Sequence, residues 1–215
     1  MTIGIRITEI FFSLQGEART SGRPTVFVRL TGCPLRCTYC DTAYAFTGGI
    51  IYDQAQVLHE VASYEPEYVC VTGGEPLAQP NCLILLTALC EQGYAVSLET
   101  SGAMDVSKVD PRVSKVMDLK TPSSGEMERN LYSNIDHLQQ HDQVKFVIGS
   151  EQDYLWSVQM LREYQLQHRV ADVLFSPSHE TMQPAVLADW IIRDRLPVRF
   201  QFQLHKLLWA DAAGK

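Results

Sequence analysis

An α/β fold, a shortened and open barrel of about six parallel strands with outer helices, is what the sequence predicts, on three observations. Short β-branched apolar runs alternate with segments of helical spacing. Some runs follow one another without a full helix between them, which leaves too few units for a complete eightfold barrel. Each motif rich in Cys, Gly, Ser, Thr or charge follows a run, and in partial TIM-like barrels the strand carboxyl ends gather the chemistry.

The elements follow in order. Residues 25–30 form the first apolar run, and 52–63 show helical spacing through Val57, Leu58 and Val61. Residues 68–72 form a second strand, closed by a Gly-Gly-Glu-Pro turn, and a helix is expected over 81–92. Strands at 95–100 and 113–119 are joined by a short Pro-containing loop. A short helix is expected near 127–138. Strand 144–148, helix 152–164, strand 173–175, helix 185–193 and a last strand 199–204 complete the series. Such units form a parallel sheet through right-handed crossovers.

At 215 residues the chain suits one domain, 1–215, and is short for two. Its 46% hydrophobic and 20% charged residues are ordinary for a globular protein. A net charge of −7 argues against a nucleic-acid partner, which usually meets a basic patch. No apolar stretch reaches membrane-spanning length and no lipidation signal stands out, so no membrane partner is expected.

The densest chemistry is Cys33-Pro-Leu-Arg-Cys37-Thr-Tyr39-Cys40. Three thiolates on a loop leaving a strand are one short of the four that a structural zinc or closed iron–sulfur cluster takes. Zinc would need a fourth ligand, and His59, the nearest histidine, lies in a helical pattern. A disulfide framework is not expected, for want of an apolar leader and of cysteines. Cys70, Cys82 and Cys90 sit in apolar contexts and read as small buried hydrophobes. Arg29 lies in an apolar strand, where a charge requires a partner, and a guanidinium suits a carboxylate. Thr42 could lend an oxygen to Mg²⁺, or form a turn with Asp41.

The Cys-x3-Cys-x2-Cys spacing, with Tyr39 before the last cysteine and Gly73-Gly74-Glu75-Pro76 after the second strand, resembles the radical S-adenosylmethionine (SAM) superfamily. That resemblance implies a [4Fe–4S] cluster on Cys33, Cys37 and Cys40, with one iron open to SAM. It implies SAM contacts from Tyr39, Cys40, Asp41, Gly73, Gly74 and Glu75. Glu99 and Ser101 after the third strand, with Lys120 and Ser123 after the fourth, would meet the ribose and carboxylate. Capping of turns is the plainer use of such residues.

Glu9-Ile-Phe-Phe-Ser-Leu14-Gln15-Gly16-Glu17, Arg29-Leu-Thr-Gly-Cys33, Cys40-Asp41-Thr42 and Phe202-Gln203-Leu204-His205-Lys206 together resemble the 7-carboxy-7-deazaguanine synthase family over nearly the whole chain. The resemblance implies that 6-carboxy-5,6,7,8-tetrahydropterin becomes 7-carboxy-7-deazaguanine with loss of ammonia, through a 5′-deoxyadenosyl radical that takes hydrogen from C6. It implies substrate contacts from Leu14, Gln15, Gly16, Glu17, Arg29, Thr72, Gln203 and His205, the last two on the final strand, and Mg²⁺ at Thr42. A cytoplasmic homodimer served by an electron donor such as flavodoxin is expected. The chain departs from the family's usual Gln-Gly-Glu-Gly by Ala18, which would be strained if that position needs φ > 0. Two rivals stand beside this reading: a radical SAM activase of a protein partner, and a non-catalytic iron–sulfur or zinc module. Activases are not expected to carry the Leu-Gln-Gly-Glu leader or the Asp-Thr pair.

Overall fold

The computed structural model describes residues 4–179 and 181–210. The elements are β1 (Gly4–Leu14), β2 (Pro24–Leu30), β3 (Ile50–Asp53), α1 (Gln54–Ser63), β4 (Tyr68–Gly73), α2 (Cys82–Glu91) and β5 (Ala95–Thr100). They continue with β6 (Ser114–Asp118), β7 (Gln143–Ile148), α3 (Glu151–Glu163), α4 (Leu166–Arg169), β8 (Asp172–Pro177), α5 (Pro184–Arg193), β9 (Arg199–Phe200) and α6 (Leu204–Trp209). One sheet holds all nine strands in the order β3-β1-β2-β4-β5-β6-β7-β8-β9, with β3 and β9 as free edges. From β2 to β9 the neighbours run parallel, and β1 and β3 are antiparallel additions. The barrel is therefore partial and open, as expected.

Helix starts are chemically marked. Asp53 and Gln56 close a capping box on α1, Ser150 caps α3, and Pro184 opens α5 where no N–H is needed. Strand residues alternate between two faces. Val26, Val28, Leu30, Val69, Val71 and Leu98 pack outward against Val57, Val61, Leu85, Leu86 and Leu89 of α1 and α2. A second apolar cluster joins Val144, Phe146, Ile148, Val173 and Phe175 to Tyr154, Leu161, Leu187 and Ile191 of α3 and α5. The intervening positions, among them Arg29, Thr72, Glu99 and Lys145, line the inner face. Its far end is plugged by Ala18, Val116 and Leu174. Cys82 lies in the outer core, whereas Cys70, also buried, belongs to neither apolar cluster.

Four expectations need correction. β1 and β3 extend the sheet beyond the strands expected. The helix expected near 127–138 is two 3-10 turns, Met127–Arg129 and Tyr132–His137. The strand expected over 199–204 is only Arg199–Phe200. Gln203 and His205 are consequently not on a strand: Gln203 precedes the first turn of α6 and His205 lies within it. The Leu204 amide donates to the Gly16 carbonyl at 3.0 Å, so the chain turns across the leader instead of extending β9.

Candidate active site at the carboxyl ends of the strands

Cys33, Cys37 and Cys40 lie on the loop after β2, all unpaired and partly buried. The loop is fastened at several points. The Thr38 amide and hydroxyl donate to the Ser124 and Ser123 carbonyls at 3.0 and 2.7 Å, and the Arg36 side chain donates to the Cys33 carbonyl at 2.8 Å. Burial pushes the Cys37 thiol up to about 11 against the opposing charge of Lys120, and raises Cys33 too. A metal would reverse that, because a coordinated thiol is deprotonated. Among the described residues no three His, Cys, Asp or Glu side chains converge as on a single ion. A four-iron cluster instead takes each thiolate at a separate corner, so three spaced thiols suit it better than zinc.

Beside the loop, Lys120 donates to Asp118 at 2.9 Å. Burial opposes its charge, but Asp118 holds its pKa above the ordinary value. Asp118 Oδ1 and Tyr39 Oη are buried without a hydrogen-bond partner among the described residues. Two orphaned polar atoms beside three free thiols fit a polar cofactor such as SAM better than a sealed core. Ser123 is exposed, and its amide donates to Asp153 at 2.8 Å.

The Gly-Gly-Glu turn serves this loop mechanically. A Cβ on Gly73 would strike the Leu30 backbone, and one on Gly74 would strike Gly32 and Cys33. The Gly74 and Glu75 amides donate to Leu30 and Gly32 carbonyls at 3.1 and 2.8 Å. Glu75 is fully buried, and its carboxylate accepts from Leu77 N, Thr100 Oγ1, and both the amide and hydroxyl of Ser101. The Glu75 and Ser101 side chains thus satisfy each other, tying the ends of β4 and β5.

On the inner face, Glu99 accepts from Thr72 at 2.9 Å and Gln15 at 3.4 Å, which places it beside the expected substrate residues. Lys145 donates to buried Glu17 at 2.5 Å, and Gln203 and Gln201 donate to the same carboxylate at 2.8 and 3.2 Å. Burial raises the Glu17 pKa, but the Lys145 charge outweighs it and holds the carboxyl below the usual range; Lys145 is correspondingly raised. Gln203 also reaches Asp41 at 3.3 Å, and a Cβ on Gly16 would collide with the His205 ring. The leader, the exit of the cysteine loop and the C-terminal segment are thereby joined across the inner face of the sheet. Leu14 closes β1 opposite Pro24, at the end of β2 away from the cysteine loop, so Glu17 reaches the network from the other side.

The Thr42 hydroxyl donates to Asp41 at 2.8 Å. Partial burial works against the Asp41 charge, yet Thr42 and the Lys145 and Lys206 ammoniums keep its pKa low. Arg29 already has an anion: its Nε donates to Glu9 at 2.7 Å. Ala18 adopts φ 60°, so the position does require the left-handed region and alanine is held there with some strain. Its amide donates to Gln201 at 2.6 Å.

Sequence reasoning missed Glu9, Tyr44, Lys145 and Gln201. Lys145 carried a signal, since it interrupts Val-Lys-Phe-Val as Arg29 interrupts its own strand. Glu9 opens the leader motif, but its pairing with Arg29 carried no signal, because it depends on strand register.

The profile of the Radical SAM superfamily matches residues 27–191. A 7-carboxy-7-deazaguanine synthase of Chlorobaculum tepidum is 42% identical over 98% of this chain and 97% of its own length. One from Koribacter versatilis is 40% identical over 95% and 97%. Among solved structures, QueE from Escherichia coli superimposes with a TM-score of 0.78 at 21% identity, covering 94% of this chain and 95% of that one, which bears on the fold. The three-cysteine loop on an open parallel barrel is thus that of a radical SAM protein. Within that superfamily, the chain belongs to the 7-carboxy-7-deazaguanine synthase family.

Proposed function

We propose that the protein converts 6-carboxy-5,6,7,8-tetrahydropterin to 7-carboxy-7-deazaguanine with loss of ammonia. The observation that carries this beyond family membership is the inner face itself. It presents cations, carboxylates and amides within one enclosure, where a module that only held a cluster would need none. When bound, the [4Fe–4S] cluster on Cys33, Cys37 and Cys40 and SAM supply the electron and the hydrogen-abstracting radical. The chain's own residues bind and orient. Arg29 meets the pterin carboxylate, Gln15 and Glu99 face the donors and acceptors of the ring edge, and the Glu17–Lys145–Gln203 network holds the leader and His205 over it. Tyr39, Asp118, Lys120 and the Gly73–Gly74 backbone face SAM.

Thr42 with Asp41 offers oxygens for Mg²⁺, whose other ligands would come from substrate and water. A homodimer accords with an edge strand, β3, that exposes Ile50 and Ile51. A flavodoxin-like donor and a reducing cytoplasm accord with an oxygen-sensitive cluster, and no helix among the described residues is long and apolar enough to cross a membrane.

Anaerobic turnover of the carboxytetrahydropterin, with mass detection of the product, tests the reading. SAM-dependent formation of the ring-contracted acid is expected. SAM cleavage with the pterin left intact would favour a protein-directed activase instead.

A further inference from the structure

β1 changes phase partway along its length. Ile5 and Ile7 face the outer core, and regular alternation would send Glu9 outward with them. Instead Ile7 pairs with Leu30, Glu9 pairs with Arg29, and Ile10 pairs with Val28, so a bulge at Thr8 absorbs one residue. The Thr8 hydroxyl is pinned to that of Thr31 at 2.7 Å. The bulge turns Glu9 and Phe11 onto the inner face, opposite Arg29 and Phe27. Bulges beside active sites commonly re-aim a side chain in this way.

The result is a socket. Glu9 Oε1 accepts from Arg29 Nε at 2.7 Å and from the Tyr44 hydroxyl at 2.8 Å. The guanidinium carbon lies 5.8 Å from the ring centroids of both Phe11 and Tyr44, within cation–π range. Neither terminal nitrogen of Arg29 donates to a described residue. Only the Nε side is spent internally.

We propose that Glu9, delivered by the Thr8 bulge and braced by Tyr44, is a positioning residue that fixes the Arg29 guanidinium so that its terminal nitrogens present a preset fork to the substrate carboxylate. The inference rests on the proposed role of Arg29. Two effects of Glu9 oppose each other. Its charge offsets that of Arg29 and weakens the pull on any anion. Its hydrogen bond removes the rotamer freedom that a long side chain would otherwise lose on binding. The Arg29 and Glu9 side chains are only 16% and 27% exposed. Removing Glu9 therefore leaves a largely buried guanidinium without its internal partner and free to reorient, and the lost positioning outweighs the pull on the anion that is regained. Such a socket would favour a planar carboxylate of correct placement over anions in general.

The test is steady-state kinetics of Glu9→Ala, Glu9→Gln and Tyr44→Phe, each alone and with Arg29→Ala, using the carboxytetrahydropterin and its analogue lacking the carboxylate. Loss of one charged hydrogen bond predicts a KM for the carboxylated pterin raised about 10-fold in Glu9→Ala. Glu9→Gln should recover part of it, with kcat and the KM for SAM little changed. In the Arg29→Ala background the Glu9 changes should add nothing, and the analogue should not respond. A Glu9 effect that persists without Arg29, an unchanged KM, or a lowered KM would overturn the inference. Should Glu9→Ala not fold, Glu9→Gln and Tyr44→Phe decide by the same criteria. If Arg29→Ala itself leaves binding of the carboxylated pterin intact, the role of Arg29 falls, and the inference with it. If Arg29→Ala is damaging and the Glu9 variants are not, only the inference falls.

Discussion

The two faces of the same strands do different work. In β2, Val26, Val28 and Leu30 enter a dry core under α1 and α2, while Phe27 and Arg29, one residue away, face Phe11 and Glu9. In β7, Val144, Phe146 and Ile148 pack on α3 and α5, while Lys145 reaches Glu17. Outer contacts are interchangeable in kind, since any apolar group of fitting volume excludes water. Inner contacts are specific pairs, each needing a particular donor or charge. Stability is therefore concentrated outside and selectivity inside, although the pitch of one residue separates them.

Truncation on the outer face should show the largest loss of stability. Leu86→Ala removes a fully buried side chain from the outer cluster and should cost about 2–5 kcal/mol in denaturant unfolding, with KM for both substrates unchanged in the folded fraction. An altered KM would show that the faces are coupled. Glu75→Ala probes the border between them. It strands buried donors of Thr100, Ser101 and Leu77, and should cost about 2–4 kcal/mol while also loosening the cysteine loop seated on the neighbouring glycines. Iron retention measured beside unfolding separates these effects; stability lost with iron retained would confine Glu75 to scaffolding.

The inner face should respond to pH where the outer does not. Glu17 has its folded pKa depressed below the ordinary 4.5 by Lys145, so its contribution is complete above about pH 4.5 and fades as pH falls through the folded value. Wild type should exceed Glu17→Gln in stability near neutrality, and the gap should narrow on acidification, read by unfolding curves from about pH 7 to about pH 3. A gap independent of pH would mean that hydrogen bonding rather than charge carries the contact. The smallest effect is expected at Ala18→Gly. Relief of the φ 60° conformation, worth about 1 kcal/mol, is offset by a lost buried methyl and a freer unfolded chain. The net change should lie within about 1 kcal/mol.

The outer face was legible in the sequence because its signal is local. Runs such as Tyr-Val-Cys-Val-Thr and Val-Lys-Phe-Val-Ile placed β4 and β7 within a residue or so. β1 was not legible, because the Thr8 bulge breaks its alternation, and β3 is only four residues long. β9 was overread because Phe-Gln-Leu has strand character, while the Leu204 amide finds its acceptor on Gly16, far away in sequence. The cysteine loop stood out by its spacing, and the Gly-Gly-Glu turn gained meaning only beside it, through the resemblance to the radical SAM superfamily. The partners of Arg29 and Glu17 could not be read, since Glu9 meets Arg29 only through strand register and Lys145 meets Glu17 only where the leader crosses the inner face.

The central claim is that a cluster on the three loop thiolates, and not the other three cysteines, makes this scaffold a catalyst. Iron and sulfide per chain, with SAM cleavage, measured after anaerobic reconstitution of six single Cys→Ala variants tests it most directly. Cys33→Ala, Cys37→Ala and Cys40→Ala should lose SAM cleavage entirely, with iron content reduced, whereas Cys70→Ala, Cys82→Ala and Cys90→Ala should keep both at some cost in stability. Loss of iron and cleavage in one of the second group, with one of the first unaffected, would contradict the account.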